Sequence, residues 1–322
     1  MDWDTLDTDL SGIDTANDTY RITTDQFIEP LIASIGALGL LNPIFILPTE
    51  NRKYMVVSGF KRVAACTQLG HATIRAHLLK PDTSPARLAE IAICDNASQR
   101  PLNLVESSRA LTLLAGNVQD SSLLEQITRR LGLPEHASMR DKIMRLCQMP
   151  DAIQEGILEE GISLNTALML DDLVMETSVI LAELFRDLHL SHSKQREILI
   201  HLDDIARRDG IGIDALLKDT QLQTVLCDPD TNRVQKAKLV RQFVRSKRFP
   251  FLTHTEETFQ KETKKLSLGN NIRFVAPSSF ESREYVFTIG IKSLEDLESG
   301  IKSLQNTLNN PALQTILALK TT

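Results

Sequence analysis

Apolar residues recur at helical spacing in some stretches of the chain and gather into short unbroken runs in others, and the two patterns predict different elements. Leu31, Ile32, Ile35 and Leu38 fall on one helical face, with Gly39 at the helix end. Leu40 to Leu47 reads as a turn through Asn42-Pro43 into a strand that Pro48 ends. Across the polar loop Thr49-Glu50-Asn51-Arg52 comes the apolar run Tyr54 to Val57. Its uncharged, β-prone residues suit a strand buried on both faces. Gly59 then opens an amphipathic helix that stops at Gly70, and Thr73 to Leu78 supplies a third strand. With further helices near 91–96 and 107–114, residues 27–117 are expected to form a small mixed α/β domain.

Beyond this point the pattern is helical. Leu123 to Leu131 is an amphipathic helix ending at Gly132, Leu133-Pro134-Glu135-His136 is a tight turn, and Ala137 to Cys147 is a second helix closed by Met149-Pro150. Helix, glycine-containing turn and helix make a helix-turn-helix pattern, whose second helix enters the DNA major groove. Helices over 180–188 and 195–205 follow, so residues 118–208 are expected to be all-α. Residues 209–250 read as a linker carrying a basic helix. In 251–322 a helix over 255–266, strands over 272–275 and 285–289, and a helix capped by Ser293 with Asp296 give an α-β-β-α unit. Leu294, Leu297, Ile301, Leu304 and Leu308 form an a/d seam on that last helix. So small a unit has little core of its own and gains by dimerising. The fold class is therefore α+β, in several domains.

Composition changes this picture little. Of 322 residues, 42% are hydrophobic and 24% charged, which suits a globular protein. No apolar run is long enough to span a bilayer, and no signal peptide is evident. Cys66, Cys94, Cys147 and Cys227 lie far apart without zinc-ligand spacing, so reduced, buried thiols and a cytoplasmic location are expected. The net charge of −6 argues against indiscriminate nucleic-acid binding, and 5% aromatic content argues against a base-stacking single-strand binder. Residues 1–26 hold seven aspartates and one arginine, and read as a mobile acidic tail.

Charge placement supplies the candidate chemistry. Lys61 and Arg62 fall in the first turn of the helix opened by Gly59, beside its free N–H groups. Fixed cations and the helix dipole then act together on a phosphate, although solvated surface cations fit the same stretch. Asp95 and Asn96 are oxygen ligands of the kind Mg²⁺ accepts, or else a helix cap. On the second helix of the helix-turn-helix, Ser138, Arg140, Lys142 and Arg145 can reach bases or phosphates. Arg233 to Arg248 carries seven cations and no acid, making Lys238, Arg241 and Arg245 candidates for the DNA backbone.

The order Ser34-Ile-x-x-x-Gly39-Leu-Leu-Asn-Pro-Ile44, Val57-Ser-Gly-Phe-Lys-Arg62, Asp95-Asn-Ala-Ser-Gln-Arg100 and Leu102-Asn-x-x-Glu106 resembles the N-terminal domain of ParB partition proteins. The helix-turn-helix region and the C-terminal unit, including Leu268-Gly269 and Tyr285 to Ile289, are similar to the family's later domains. The resemblance implies that Gly59, Lys61, Arg62, Asn96 and Arg100 bind CTP, with Mg²⁺ at Asp95 and Asn96. It also implies a dimer joined through the C-terminal domain, a palindromic double-stranded DNA site, a ParA-type ATPase partner and a place on nucleoid or plasmid DNA. The family's Gly-Glu-Arg-Arg box reads Gly59-Phe60-Lys61-Arg62 here, and Asn42 stands for a glutamine associated with hydrolysis, so at most weak CTPase activity is expected. The N-terminal segment is acidic and lacks the family's ParA-contact phrase. A nucleotide-independent transcription regulator on the same scaffold is the alternative. Clustered acids or histidines for a nuclease are not found.

Overall fold

A computed structural model of the chain describes residues 3–319 apart from 26, 51, 52 and 283. Residues 51 and 52 of the expected 49–52 loop therefore lie outside the described residues. Two compact units divide the chain, Met1–His192 and Ser193–Thr322.

The first unit begins with β1 (Asp4–Asp9) and β2 (Ile13–Asp14), followed by α1 (Glu29–Leu38), β3 (Ile44–Pro48), β4 (Tyr54–Ser58), α2 (Phe60–Gln68) and β5 (Thr73–Leu78). The strands form one mixed sheet in the order β1-β5-β3-β4-β2. β3 runs parallel to β5 and antiparallel to β4, while β1 pairs antiparallel with β5 from Asp4 opposite Leu78 to Asp9 opposite Thr73. Successive side chains of a strand point to opposite faces, and β4 uses both. Val56 packs with Ile35, Ile44 and Val63 on the α1–α2 side, while Val57 packs with Leu88, Ala92 and Leu111 on the other.

Of the expected 1–26 tail, residues 1, 2 and 26 lie outside the described residues, and 3–25 are packed onto the domain rather than mobile. β1 and β2 complete the sheet, Trp3 packs edge-on against Phe45 at 5.2 Å, and Tyr20 and Ile22 are buried. Backbone pairing with β5 orders a strand whose side chains offer little burial: Asp4, Asp7 and Asp9 stay exposed. Charge along such an edge also discourages pairing with a further strand.

The unit continues with the helices α3 (Pro85–Ala97), α4 (Leu104–Asn117), α5 (Ser121–Arg130), α6 (Ala137–Met144), α7 (Asp151–Leu158), α8 (Leu164–Asp171) and α9 (Met175–Asp187). The expected boundary at 117 runs through packed core, because Ile127, Leu133 and Ile143 share one cluster with Ile22, Val57 and Leu111. The predicted second helix of the helix-turn-helix is shortened. Ser108 Oγ accepts the Cys147 amide at 2.9 Å, and Arg145–Gln148 tightens into a 3-10 turn.

In the second unit α10 (His192–Asp209) is followed by α11 (Ile213–Leu217) and α12 (Thr220–Cys227), whose buried Leu216, Leu217 and Leu222 make this stretch more than a linker. The basic helix is α13 (Arg233–Arg248), and α14 (Pro250–Lys265), β6 (Ile272–Val275), β7 (Val286–Ile289), α15 (Leu294–Thr307) and α16 (Pro311–Leu317) complete the chain. β6 and β7 form an antiparallel hairpin with Phe274 stacked on Phe287 at 4.1 Å, beside Phe259, Phe280 and Tyr285. Ser293 and Asp296 make the expected capping box. The seam is largely uncovered, Leu294 being 73% and Leu308 69% exposed. All four cysteines are free, but Cys94 and Cys227 are exposed rather than buried. Among the described residues no helix is long and apolar enough to cross a membrane.

Candidate nucleotide site and nucleic-acid interface

Gly59 fixes the entry to α2. Its φ of +102° is a backbone state that L side chains rarely adopt, and a Cβ there would stand 2.6 Å from Ile44 Cγ2. With no side chain capping that end, the first turn of α2 leaves its amides without intrahelical partners. This turn lines a cavity of about 560 Å³ together with Asp25, Phe27, Leu41, Asn42, Asn96, Gln99 and Arg100. The volume is within the ordinary range for small-ligand pockets.

Of the expected phosphate and metal residues, Gly59, Lys61, Arg62, Asn96 and Arg100 thus meet at one cavity, but each of the three cations already has an anionic partner. Lys61 Nζ lies 2.7 Å from Asp25 Oδ2, at the surface. Arg62 is buried, donating to Asp95 and to the carbonyls of Asn42 (3.1 Å) and Pro43 (2.6 Å), so it pins the turn before β3 onto α3. Arg100 forks onto Glu106 at 2.6 and 2.7 Å. Glu106 is fully buried and also accepts the amides of Thr24 and Asn103. Burial pushes its carboxyl up, but the Arg100 guanidinium and those amides outweigh burial and hold it below the ordinary carboxylate range.

Asp95 does not line the cavity. It accepts from Ser58 Oγ at 2.5 Å and from Arg62, while Asn96 lines the cavity with its side-chain amide donated to the Ala92 carbonyl at 2.8 Å. The carboxylate at the cavity wall is Asp25, which the sequence placed in a tail. Its neighbours Thr23-Thr24 carried no motif, and only the packing against α4 reveals its position. Phe60 stands between this cavity and an adjacent one of about 500 Å³, with the Arg21 guanidinium 5.9 Å from its ring centroid.

The expected DNA-contacting residues separate into exposed and engaged ones. Ser138 and Lys142 are exposed on α6. Arg140 is a correction: only 5% exposed, it donates to the Glu135 carbonyl and fastens the α5–α6 turn. Arg145 lies in the 3-10 turn and pairs with Asp171 and Asp172. In the second unit Arg241 pairs with Glu197 at 2.8 Å and Arg245 forks onto Glu256. The carboxylates missing from the basic run therefore come from α10 and α14, and Lys238 is the exposed member of the expected three.

Residues 9–97 match the ParB N-terminal domain family. A nucleoid occlusion protein from Halalkalibacterium halodurans is 29% identical over 181 residues, covering 54% of this chain and 60% of that protein. A probable chromosome-partitioning protein ParB from Helicobacter pylori is 26% identical over 150 residues, covering 47% and 49%. The chain thus spans about half the length of the curated relatives it matches. The C-terminally truncated ParB from Caulobacter crescentus has been solved with CTP-γ-S (22% identity, 56% of this chain and 98% of that chain, TM-score 0.27) and with the centromeric parS site (20%, 59% and 96%, TM-score 0.35).

Proposed function

We propose that this chain, whose residues 9–97 match the ParB N-terminal domain, is a DNA-binding protein of the partition or nucleoid-occlusion kind that takes a nucleoside triphosphate at the first turn of α2. The observation that carries it is the convergence on one cavity of an uncapped helix N-terminus, Lys61, Arg62 and Arg100. Backbone amides and fixed cations together favour a polyphosphate. CTP with Mg²⁺ is the form that the family resemblance implies, Asn96 and Gln99 being the neutral oxygen donors at the cavity wall. DNA is read by the exposed face of α6 through Ser138 and Lys142. The uncovered seam on α15 joins two copies, giving the two-fold symmetry that a palindromic site needs. A nucleotide-independent regulator is the second reading, favoured by one observation: each of the three cations is already paired within the chain. A place on nucleoid or plasmid DNA follows from either reading, and a ParA-type motor would be the partner of the first.

Selection of bound fragments from genomic DNA, followed by titration against salt, tests the DNA half. Lys142→Ala is expected to weaken binding and to lower the salt slope by about 1, as removal of one cation from a phosphate does. Unchanged affinity and slope would remove α6 as the DNA-facing helix.

A further inference from the structure

We infer that Asp25 is a built-in anion that occupies Lys61 and must leave before a polyphosphate can use it, so that this one carboxylate sets the affinity threshold of the cavity. The inference rests on the polyphosphate site proposed above and concerns its regulation.

The three ion pairs around the cavity are not equivalent. Glu106, at 1% side-chain exposure, is locked by Arg100 and by backbone amides. Asp95 is held by both Arg62 and Ser58, and Arg62 is itself tied to two carbonyls. Neither pair can open without leaving a buried charge unpaired, which is strongly unfavourable. The Asp25–Lys61 pair differs: Asp25 is 49% and Lys61 27% exposed at the side chain, so water can solvate both when they part. Of the three, it is the pair that can exchange.

The segment carrying Asp25 is anchored on one side of it. Thr24 gives its amide and its hydroxyl to Glu106, Asn103 Nδ2 donates to Thr24 Oγ1, and Arg109 holds the Thr23 carbonyl. Asp25 itself uses Oδ1 to accept the Phe27 amide at 2.8 Å and Oδ2 to accept from Lys61. Its carboxylate occupies the Lys61 ammonium that an incoming phosphate oxygen would use, at the wall of the cavity that the first turn of α2 also lines. A phosphate in that place would meet like charge at short range. Binding therefore exchanges carboxylate for phosphate at Lys61, while the Thr23–Thr24 anchor and its contacts to α4 remain.

The test measures equilibrium binding of inorganic tripolyphosphate, and of CTP with Mg²⁺, to the full-length chain and to Asp25→Asn, Lys61→Ala and the double variant. An exposed ion pair contributes about 0.2–1 kcal/mol, so Asp25→Asn is expected to tighten binding by roughly 1.5- to 5-fold. The gain should shrink at high salt and be smaller on the Lys61→Ala background, where only the relief of like-charge repulsion remains. Circular dichroism of each variant confirms that the fold is retained. Tripolyphosphate binding that Asp25→Asn leaves unchanged or weakens would overturn the gate while the polyphosphate reading stands. A gain of undiminished size without Lys61 would also overturn it. No binding by wild type or Asp25→Asn would overturn both.

Discussion

Gly59→Ala is the substitution whose cost follows most directly from the geometry. Placing an L side chain at φ +102° costs about 1–2 kcal/mol in backbone strain. The new methyl would also meet Ile44 Cγ2 at 2.6 Å and Ile44 Cβ at 3.0 Å. Ile44 is fully buried in β3 and cannot swing away. Overpacking of this kind adds about 1–3 kcal/mol, so the total is roughly 2–5 kcal/mol. Gly70→Ala is the matched control: its φ is +73°, but nothing lies within 4 Å of the added Cβ, so only the backbone strain remains. The single tryptophan, Trp3, packs on Phe45 and His77 of the same sheet, so its fluorescence in a urea titration reports the first unit. Gly59→Ala should lower the midpoint at least twice as far as Gly70→Ala. Equal shifts would show that the close approach of α2 to β3 is wrong.

Other perturbations separate structural charges from functional ones. Glu106 is held below the ordinary carboxylate range, so its stabilising effect is present above about pH 4.3 and is lost as pH falls through its lower folded-state value. Glu106→Gln should therefore be less stable at neutral pH and show a flatter loss of stability on acidification than wild type, read by the same Trp3 titration. Arg140→Ala should destabilise the first unit, because it frees the Glu135 carbonyl inside the α5–α6 turn. Thermal unfolding checks it, and an unchanged transition would return Arg140 to the DNA-facing set. Arg245→Ala, by removing a half-exposed pair with Glu256, should cost about 1 kcal/mol or less. Lys238→Ala should weaken DNA binding more than Arg245→Ala does, measured side by side at one salt concentration.

Where local rules dominate, the structure was legible in the chain. The strand over 73–78, the helix end at Gly39, the turn at Gly59 and the Ser293–Asp296 box each follow from residues adjacent in sequence. β1 was not legible. An edge strand of alternating aspartates has no apolar pattern, and its order comes from backbone pairing with β5, more than sixty residues away. Charge identity was equally visible, but charge availability was not. Arg145, Arg241 and Arg245 look alike in sequence to Lys142 and Lys238, yet their carboxylate partners are supplied by other helices. The same holds at the cavity, where Lys61 and Arg62 were found from the helix start while Asp25, the residue that faces Lys61, arrives from the segment before α1.

The most direct measurement is equilibrium binding of each ribonucleoside triphosphate with Mg²⁺ to the full-length chain and to Lys61→Ala, with Asp25→Asn alongside. Selective binding of CTP that Lys61→Ala weakens and Asp25→Asn strengthens is the predicted result. Failure of every triphosphate to bind, with the protein folded and still retaining its DNA, would contradict the nucleotide site and leave a regulator whose cavity cations serve only to hold the fold.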